Sequence, residues 1–129
     1  MSSFIAFGDK GEKAAARYLR QQGFKIVDRQ HKTQFGEIDL ICRDGETWVF
    51  VEVKTRQSDA SGRPDEAVTQ SKQRQLTRNA MSYLKKRNLF EQPCRFDVVS
   101  VLWPADAKKP EITHYRSAFE AVGSFQMFS

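Results

Sequence analysis

Two alternating runs joined by a turn signal constrain this chain most: residues 36–43, then Asp44-Gly45, then residues 46–54. Glu37, Asp39, Ile41 and Arg43 share one parity, and Ile38, Leu40 and Cys42 the other. In the second run Trp48, Phe50, Glu52 and Lys54 oppose Val49, Val51 and Val53. Strict alternation over this length predicts paired strands, and Asp-Gly between them predicts a tight hairpin. Both runs carry carboxylates among β-branched residues. Burying an ionised carboxylate without a partner costs several kcal/mol or forces it to take up a proton. Asp39, Glu52 and Lys54 therefore read as functional, and the chemistry they fit is a divalent cation held beside an ammonium group.

The register decides whether such a site exists. A two-residue turn with Asp44-Gly45 at its tip sets Asp39 opposite Phe50, with Glu52 on the diagonal. A four-residue loop sets Asp39 directly opposite Glu52. Either arrangement brings the carboxylates within roughly 5–8 Å. A three-residue loop moves Asp39 to the other face and removes the site.

The remaining pattern predicts a helix over residues 9–22 ended by Gly23, a strand over 24–30 and hairpin strands over 36–43 and 46–55. A polar loop over 57–64 leads to a long helix over 65–88. Strands over 95–103 and 111–116 follow, and an apolar tail runs from Ser117 on (residues 117–129). This order implies one α/β domain over residues 1–129, a sandwich with a mixed sheet. Trp48–Val53 and Val98–Trp103, apolar on both faces, belong at its centre. A chain of 129 residues is long enough for a real core.

Cys42 and Cys94 match no zinc spacing and read as reduced thiols. Met1-Ser2-Ser3-Phe4-Ile5-Ala6-Phe7 does not resemble a signal peptide, and no apolar run is long enough to span a bilayer. The expectation is a soluble cytoplasmic protein that does not enter membranes. The net charge of +5 points to a polyanionic partner.

A third acid, Glu12, shares a helix face with Leu19, which should direct it toward the sheet. It also fits a capping box opened by Asp9, and both readings stand. Helix 65–88 carries Lys72, Arg74, Arg78, Lys85, Lys86 and Arg87 with no acid between Ala67 and Phe90. Arg74, Arg78 and Lys85 fall in one stripe at about 240–280° from Val68, and Lys72 at about 40° leans into the apolar sector. The stripe is either a solvated face or a phosphate-tracking surface. His31 and His114 have no companions that make them ligands or bases, and Asp97 reads as surface or ion-paired.

Asp39 followed by Glu52-Val53-Lys54, with Glu12 on the first helix, resembles the signature of the PD-(D/E)XK nuclease superfamily. More closely, the chain resembles the YraN family of small bacterial proteins. Gly11-Glu12, Tyr18-Leu19 and Gly23-Phe24 match it, as do Gly36 through Ile41 and Phe50 through Arg56. Later matches are Ala67-Val68, Lys72, Ala80, Tyr83-Leu84 and Arg95 through Val99. Ile38 stands where the superfamily usually has proline.

The resemblance implies a restriction-endonuclease-like fold, similar to Holliday-junction resolvases, and phosphodiester hydrolysis dependent on Mg²⁺ (or Mn²⁺), as in DNA repair or recombination. It implies Asp39, Glu52 and Lys54 as the catalytic set, with Asp39, Glu52 and Glu12 as metal ligands. Arg56, Lys72, Arg74, Arg78 and Lys85 would contact nucleic acid, with DNA favoured over RNA. The alternative is a non-catalytic nucleic-acid-binding module of the same fold. A third reading makes the apolar tail an assembly surface, and a homodimer is left open.

Overall fold

In a computed structural model, residues 3–58 and 68–121 are described, with side chains from Ala6 onward. The elements are α1 (Ser3–Gln21), β1 (Lys25–Thr33), β2 (Gly36–Asp44), β3 (Thr47–Arg56), α2 (Gln70–Lys86), β4 (Cys94–Leu102) and β5 (Glu111–Phe119). The five strands lie in the order β1-β2-β3-β4-β5. Only β3 and β4 run parallel, and α2 lies between them in the chain, so the sheet is mixed. The fold is an α/β sandwich of the restriction-endonuclease-like kind.

Each helix covers one face. Leu76, Ala80, Tyr83 and Leu84 of α2 pack on Ile41, Trp48, Phe50, Phe96 and Val98. Ala15, Ala16 and Leu19 of α1 pack on the opposite face, against Leu40, Val49, Val51, Val99 and Val101. β3 and β4 are thus apolar on both sides, as their sequence implied, and they adjoin at the middle of the sheet.

Helix ends explain where the elements stop. Past α1, Gly23 takes φ +94°, its N–H donates to Arg20 C=O (3.0 Å), and Phe24 N–H donates to Leu19 C=O (2.9 Å). Asn88 takes φ +57° beyond α2 and repeats the motif, with Leu89 N–H on Leu84 C=O (2.9 Å).

The structure moves several predicted boundaries. α1 begins at Ser3 rather than at residue 9, so Asp9 and Glu12 lie inside the helix and the capping-box reading of Glu12 fails. α2 begins at Gln70 because the Thr69 hydroxyl caps it, accepting from Lys72 N–H. The strand foreseen over 111–116 runs on to Phe119, whose ring stacks on Phe96 at 4.9 Å. The first residues of the expected tail are therefore sheet. Its remainder (122–129), most of loop 57–64 and the start of the foreseen second helix lie outside the described residues.

Gly11 sets how closely α1 approaches β3. A Cβ there would lie 2.8 Å from Thr55 Cβ and closer still to the rest of that side chain. Gly11→Ala gains up to about 1 kcal/mol of helix propensity but forces overpacking that costs about 1–3 kcal/mol. Chemical denaturation should show net destabilisation. A variant as stable as wild type would mean that α1 moves off the sheet freely.

Candidate active site at the parting of two strands

The hairpin turns at Gly45-Glu46, one residue later than the Asp44-Gly45 signal implied. Gly45 takes φ +62°, while Asp44 pairs with Thr47. This is a two-residue loop with glycine first, as a II′ turn requires. The resulting register pairs Arg43 with Trp48, Ile41 with Phe50 and Leu40 with Val51, the alignment that sets Asp39 level with Glu52.

At Asp39 the ladder ends. The pairing of β2 with β3 runs no further than Leu40–Val51, and Asp39 Oδ2 accepts the Val53 N–H at 2.8 Å. A side-chain carboxylate thus takes over the work of a ladder carbonyl. On the other side of β2, Gln30 lies between the pairs Arg29–Leu40 and His31–Ile38 and takes φ +49°. The simple alternation read from the sequence breaks here. Ile38 belongs to the α2-side core although Leu40 belongs to the α1-side core.

The parting leaves a cleft of about 420 Å³ whose walls include Glu12, Gln30, Glu37, Asp39, Lys54 and Thr55. Burial is the main force pushing the Asp39 carboxyl up to about 8, followed by the charge of Glu52 and a hydrogen bond between the two carboxyls. The Val53 N–H works against this rise. Asp39 and Glu52 are therefore in contact, and near neutral pH the metal-free pair keeps a proton on Asp39.

Glu52 is buried and faces two ammonium groups at one oxygen: Lys54 Nζ at 3.6 Å and Lys72 Nζ at 3.7 Å from Oε2. These distances give charge compensation without hydrogen bonds, so the carboxylate's lone pairs are not tied up by the lysines. Lys72 reaches the pair from α2, in keeping with its lean toward the apolar sector.

Glu12 comes from the opposite face of the sheet. It is only 7% exposed, packed inward as its shared face with Leu19 required. Its partners are Arg29 Nε (3.7 Å from Oε1) and Gln30 Nε2 (3.4 Å from Oε2). Burial pushes its carboxyl up, against the pull of Gln30 and Arg29. The structure gathers Asp39, Glu52, Lys54 and Lys72 and stands Glu12 at the far wall of the cleft. Among the described residues no three His, Cys, Asp or Glu side chains form a group that could hold one ion.

Arg56, two residues beyond Lys54, ends β3, where its C=O accepts the Trp103 N–H. Arg74, Arg78 and Lys85 are exposed on α2, with Arg78 over the Phe35 ring at 6.0 Å.

Sequence reasoning missed three groups. Gln30 holds Glu12 through a left-handed backbone that nothing in its local sequence marks. Asp97, read as surface or ion-paired, is ion-paired, but it is fully buried and its network was not foreseen. It pairs with Arg95 (3.0 Å), meets His114 Nε2 (2.7 Å) and accepts the Ser117 N–H (3.0 Å). The His114 and Arg95 contacts hold its carboxyl below the usual range against the effect of burial. His114 in turn contacts the Tyr18 hydroxyl at 3.4 Å, so it is a buried structural link between β5 and α1. The third group, a row of cations along α1, had a legible signal: Lys10, Lys13 and Arg17 recur at helical spacing.

The fold and the acid–lysine cleft define a restriction-endonuclease-like α/β domain. The model of the uncharacterised protein family UPF0102 matches residues 11–101, and the chain belongs to that family, in agreement with the YraN resemblance. It is similar to a UPF0102 protein of Geotalea uraniireducens, 46% identical over 115 residues (89% of this chain, 90% of the relative). A Rhodococcus opacus UPF0102 protein is 43% identical over 119 residues (92% and 100%). One from Rhodopirellula baltica is 44% identical over 119 residues (90% and 71%).

The raised Asp39 has a stability consequence of definite sign. Between about 4 and 8 the metal-free folded state holds a proton there that the unfolded chain releases, so stability falls as pH rises through this window. Asp39→Asn keeps an acceptor for the Val53 N–H and removes the titration. In EDTA its Tm should exceed that of wild type above about pH 8, and the difference should shrink toward pH 4. A difference independent of pH would show that the carboxyl pair does not share the proton.

Proposed function

We propose that this protein is a metal-dependent endonuclease acting on phosphodiester bonds, with branched or single-stranded DNA as the leading substrate class. The observation that carries this reading is the Asp39–Glu52 pair, two carboxyl groups held in contact at the parting of β2 and β3 with Lys54 and Lys72 beside them. Burying Asp39 against Glu52 disfavours the charged form of Asp39, so the arrangement costs stability in the metal-free protein. A hard cation with oxygen ligands removes that cost. Mg²⁺ characteristically takes one or two carboxylates and completes its shell with water and phosphate oxygens. Two acids are enough for such a site, and Glu12 need not be a direct ligand.

Asp39 and Glu52 would hold Mg²⁺ or Mn²⁺, which supplies Lewis acidity toward a phosphate and acidifies a bound water. Asp39 would hold the ion as a carboxylate. Lys54 Nζ, beside Glu52, orients the attacking water or stabilises charge developing on the phosphate. Lys72 neutralises Glu52 and offers a second cation to the substrate. Glu12, Gln30 and Glu37 shape the cleft's outer wall. Arg56 and the exposed Arg74, Arg78 and Lys85 give phosphate contacts that position without reading sequence. Among the described residues no helix is long and apolar enough to cross a membrane.

A second reading, a binding module that does not cut, shares the fold and the exposed cations of α2. One assay separates the two. Purified protein is incubated with four-way-junction, flap, single-stranded and linear DNA and with RNA, in Mg²⁺, Mn²⁺ or EDTA. Cutting should require the metal. Asp39→Asn and Glu52→Gln should abolish it, and Lys54→Ala should slow it about 10²–10³-fold, with binding retained. Glu12→Gln should have the smallest effect of the four. If no substrate is cut with either metal, the binding-module reading replaces the enzyme.

A further inference from the structure

A second concave surface lies against α1 and the β4–β5 connection, away from the carboxylate pair. It encloses about 580 Å³ and is lined by Lys10, Lys13, Arg17, Lys108 and Lys109, with Trp103 in its wall and no acidic lining residue. Five cations converge from two separate segments, so this is more than one solvated helix face. All five are exposed, and none has a carboxylate partner among the ion pairs of the described residues.

Trp103 is fixed. Its indole N–H donates to Ala107 C=O at 3.0 Å and its backbone N–H to Arg56 C=O at 2.8 Å. One ring face carries Lys10 Nζ at 3.8 Å from the centroid, a flexible ammonium that a flat ligand can displace. A rigid half-exposed indole among unpaired cations combines the two elements of single-strand recognition: a stacking platform and a groove that tracks phosphates. The groove also leads to the cleft. Lys13 lines the hollow that holds Asp9, Glu12, Arg29 and Gln30, and the Trp103–Arg56 hydrogen bond ties the groove to the end of β3 just past Lys54.

We propose that this groove binds an unpaired nucleic-acid strand, one base stacking on Trp103 while Lys13, Arg17, Lys108 and Lys109 hold consecutive phosphates and Lys10 swings from the ring to the backbone. The proposal rests on the nucleic-acid reading above but not on cleavage. It places the single-strand path on the α1 side of the sheet, whereas the Arg74/Arg78/Lys85 stripe lies on the α2 side.

The test uses the full chain in EDTA, so that cutting cannot contribute, and an oligothymidylate strand of about twenty nucleotides, longer than a typical single-fold site. Trp48 is 5% exposed, so Trp103 dominates any change in tryptophan emission on binding. The strand should quench emission saturably. Trp103→Phe should lose the quench and keep affinity, and Trp103→Ala should bind about tenfold or more weakly. The exposed triple Lys13→Ala/Arg17→Ala/Lys109→Ala, which leaves the core untouched, should reduce the slope of log affinity against log salt by about two units, at roughly 0.7 per phosphate for single strands. Thymidine monophosphate at the same nucleotide concentration should not quench. An unchanged salt slope in the triple variant, or equal quenching by the mononucleotide, overturns the proposal. Failure of every cleavage assay would sink the catalytic reading and leave this measurement standing.

Discussion

The hydrogen bond from Val53 N–H to the Asp39 carboxylate organises this molecule's chemistry. It stands where β2 leaves β3. A strand that leaves its neighbour abandons backbone donors, and a buried donor without an acceptor costs about 1–3 kcal/mol. Asp39 meets that need at the one place where the sheet opens. The same contact pins the carboxyl beside Glu52, where burial and then the Glu52 charge raise the proton affinity of Asp39 against the pull of the Val53 N–H itself. The opening, the satisfaction of the backbone and the electrostatic tension are one feature. This explains why the acid stands at a strand's point of departure instead of in mid-ladder, where a cation could not reach it.

The two helices contribute unequally to that opening. α2 offers Lys72 to the Glu52 side, and α1 places Glu12 on the other. Gly11 lets α1 lie against Thr55, which brings Glu12 to the cleft. Glu12 then needs its own compensation, which Arg29 and Gln30 supply from β1. Opposite-sign groups from β1 and α2 thus bracket a carboxylate line that crosses the sheet through its gap. The far end of the sheet is closed by a network around Asp97, with Arg95, His114 and Ser117 all on one carboxylate. The contrast is instructive. Asp97 is held below its usual range because His114, Arg95 and Ser117 outweigh its burial, whereas Asp39 is pushed up by burial and then by the acid beside it. The first is built for stability and the second for exchange with something positive.

Most of the fold was legible because its signals are periodic. The alternation of β3, the Gly23 stop and the apolar character of β4 are each set by burial on a regular lattice. The acids and lysines of the cleft were legible for the opposite reason: they interrupt that lattice. What stayed hidden depends on contacts between distant segments or on single-residue geometry. Gln30 gives no local sign of a left-handed backbone, and the face switch between Ile38 and Leu40 follows from it rather than from composition. His114 looked isolated because its partners, Asp97 and Tyr18, come from β4 and α1. The start of α1 was misplaced because Asp9 and Glu12 mimic a cap that the longer helix does not use.

Charge distribution ties these elements to a direction of approach. The cleft is acidic, with Glu12, Glu37 and Asp39 in its walls, and would repel a phosphate that reached it without a cation. Cationic surfaces flank it on both helices: Arg74, Arg78 and Lys85 on α2, and Lys10, Lys13 and Arg17 on α1. Under the proposed function, a polyanion would be attracted to the rims and excluded from the centre until a divalent ion neutralised the Asp39–Glu52 pair. In that arrangement affinity and reactivity are carried by different residues. Long-range attraction resides in exposed side chains that salt screens readily. The proposed chemistry would reside in a buried pair, which salt screens poorly.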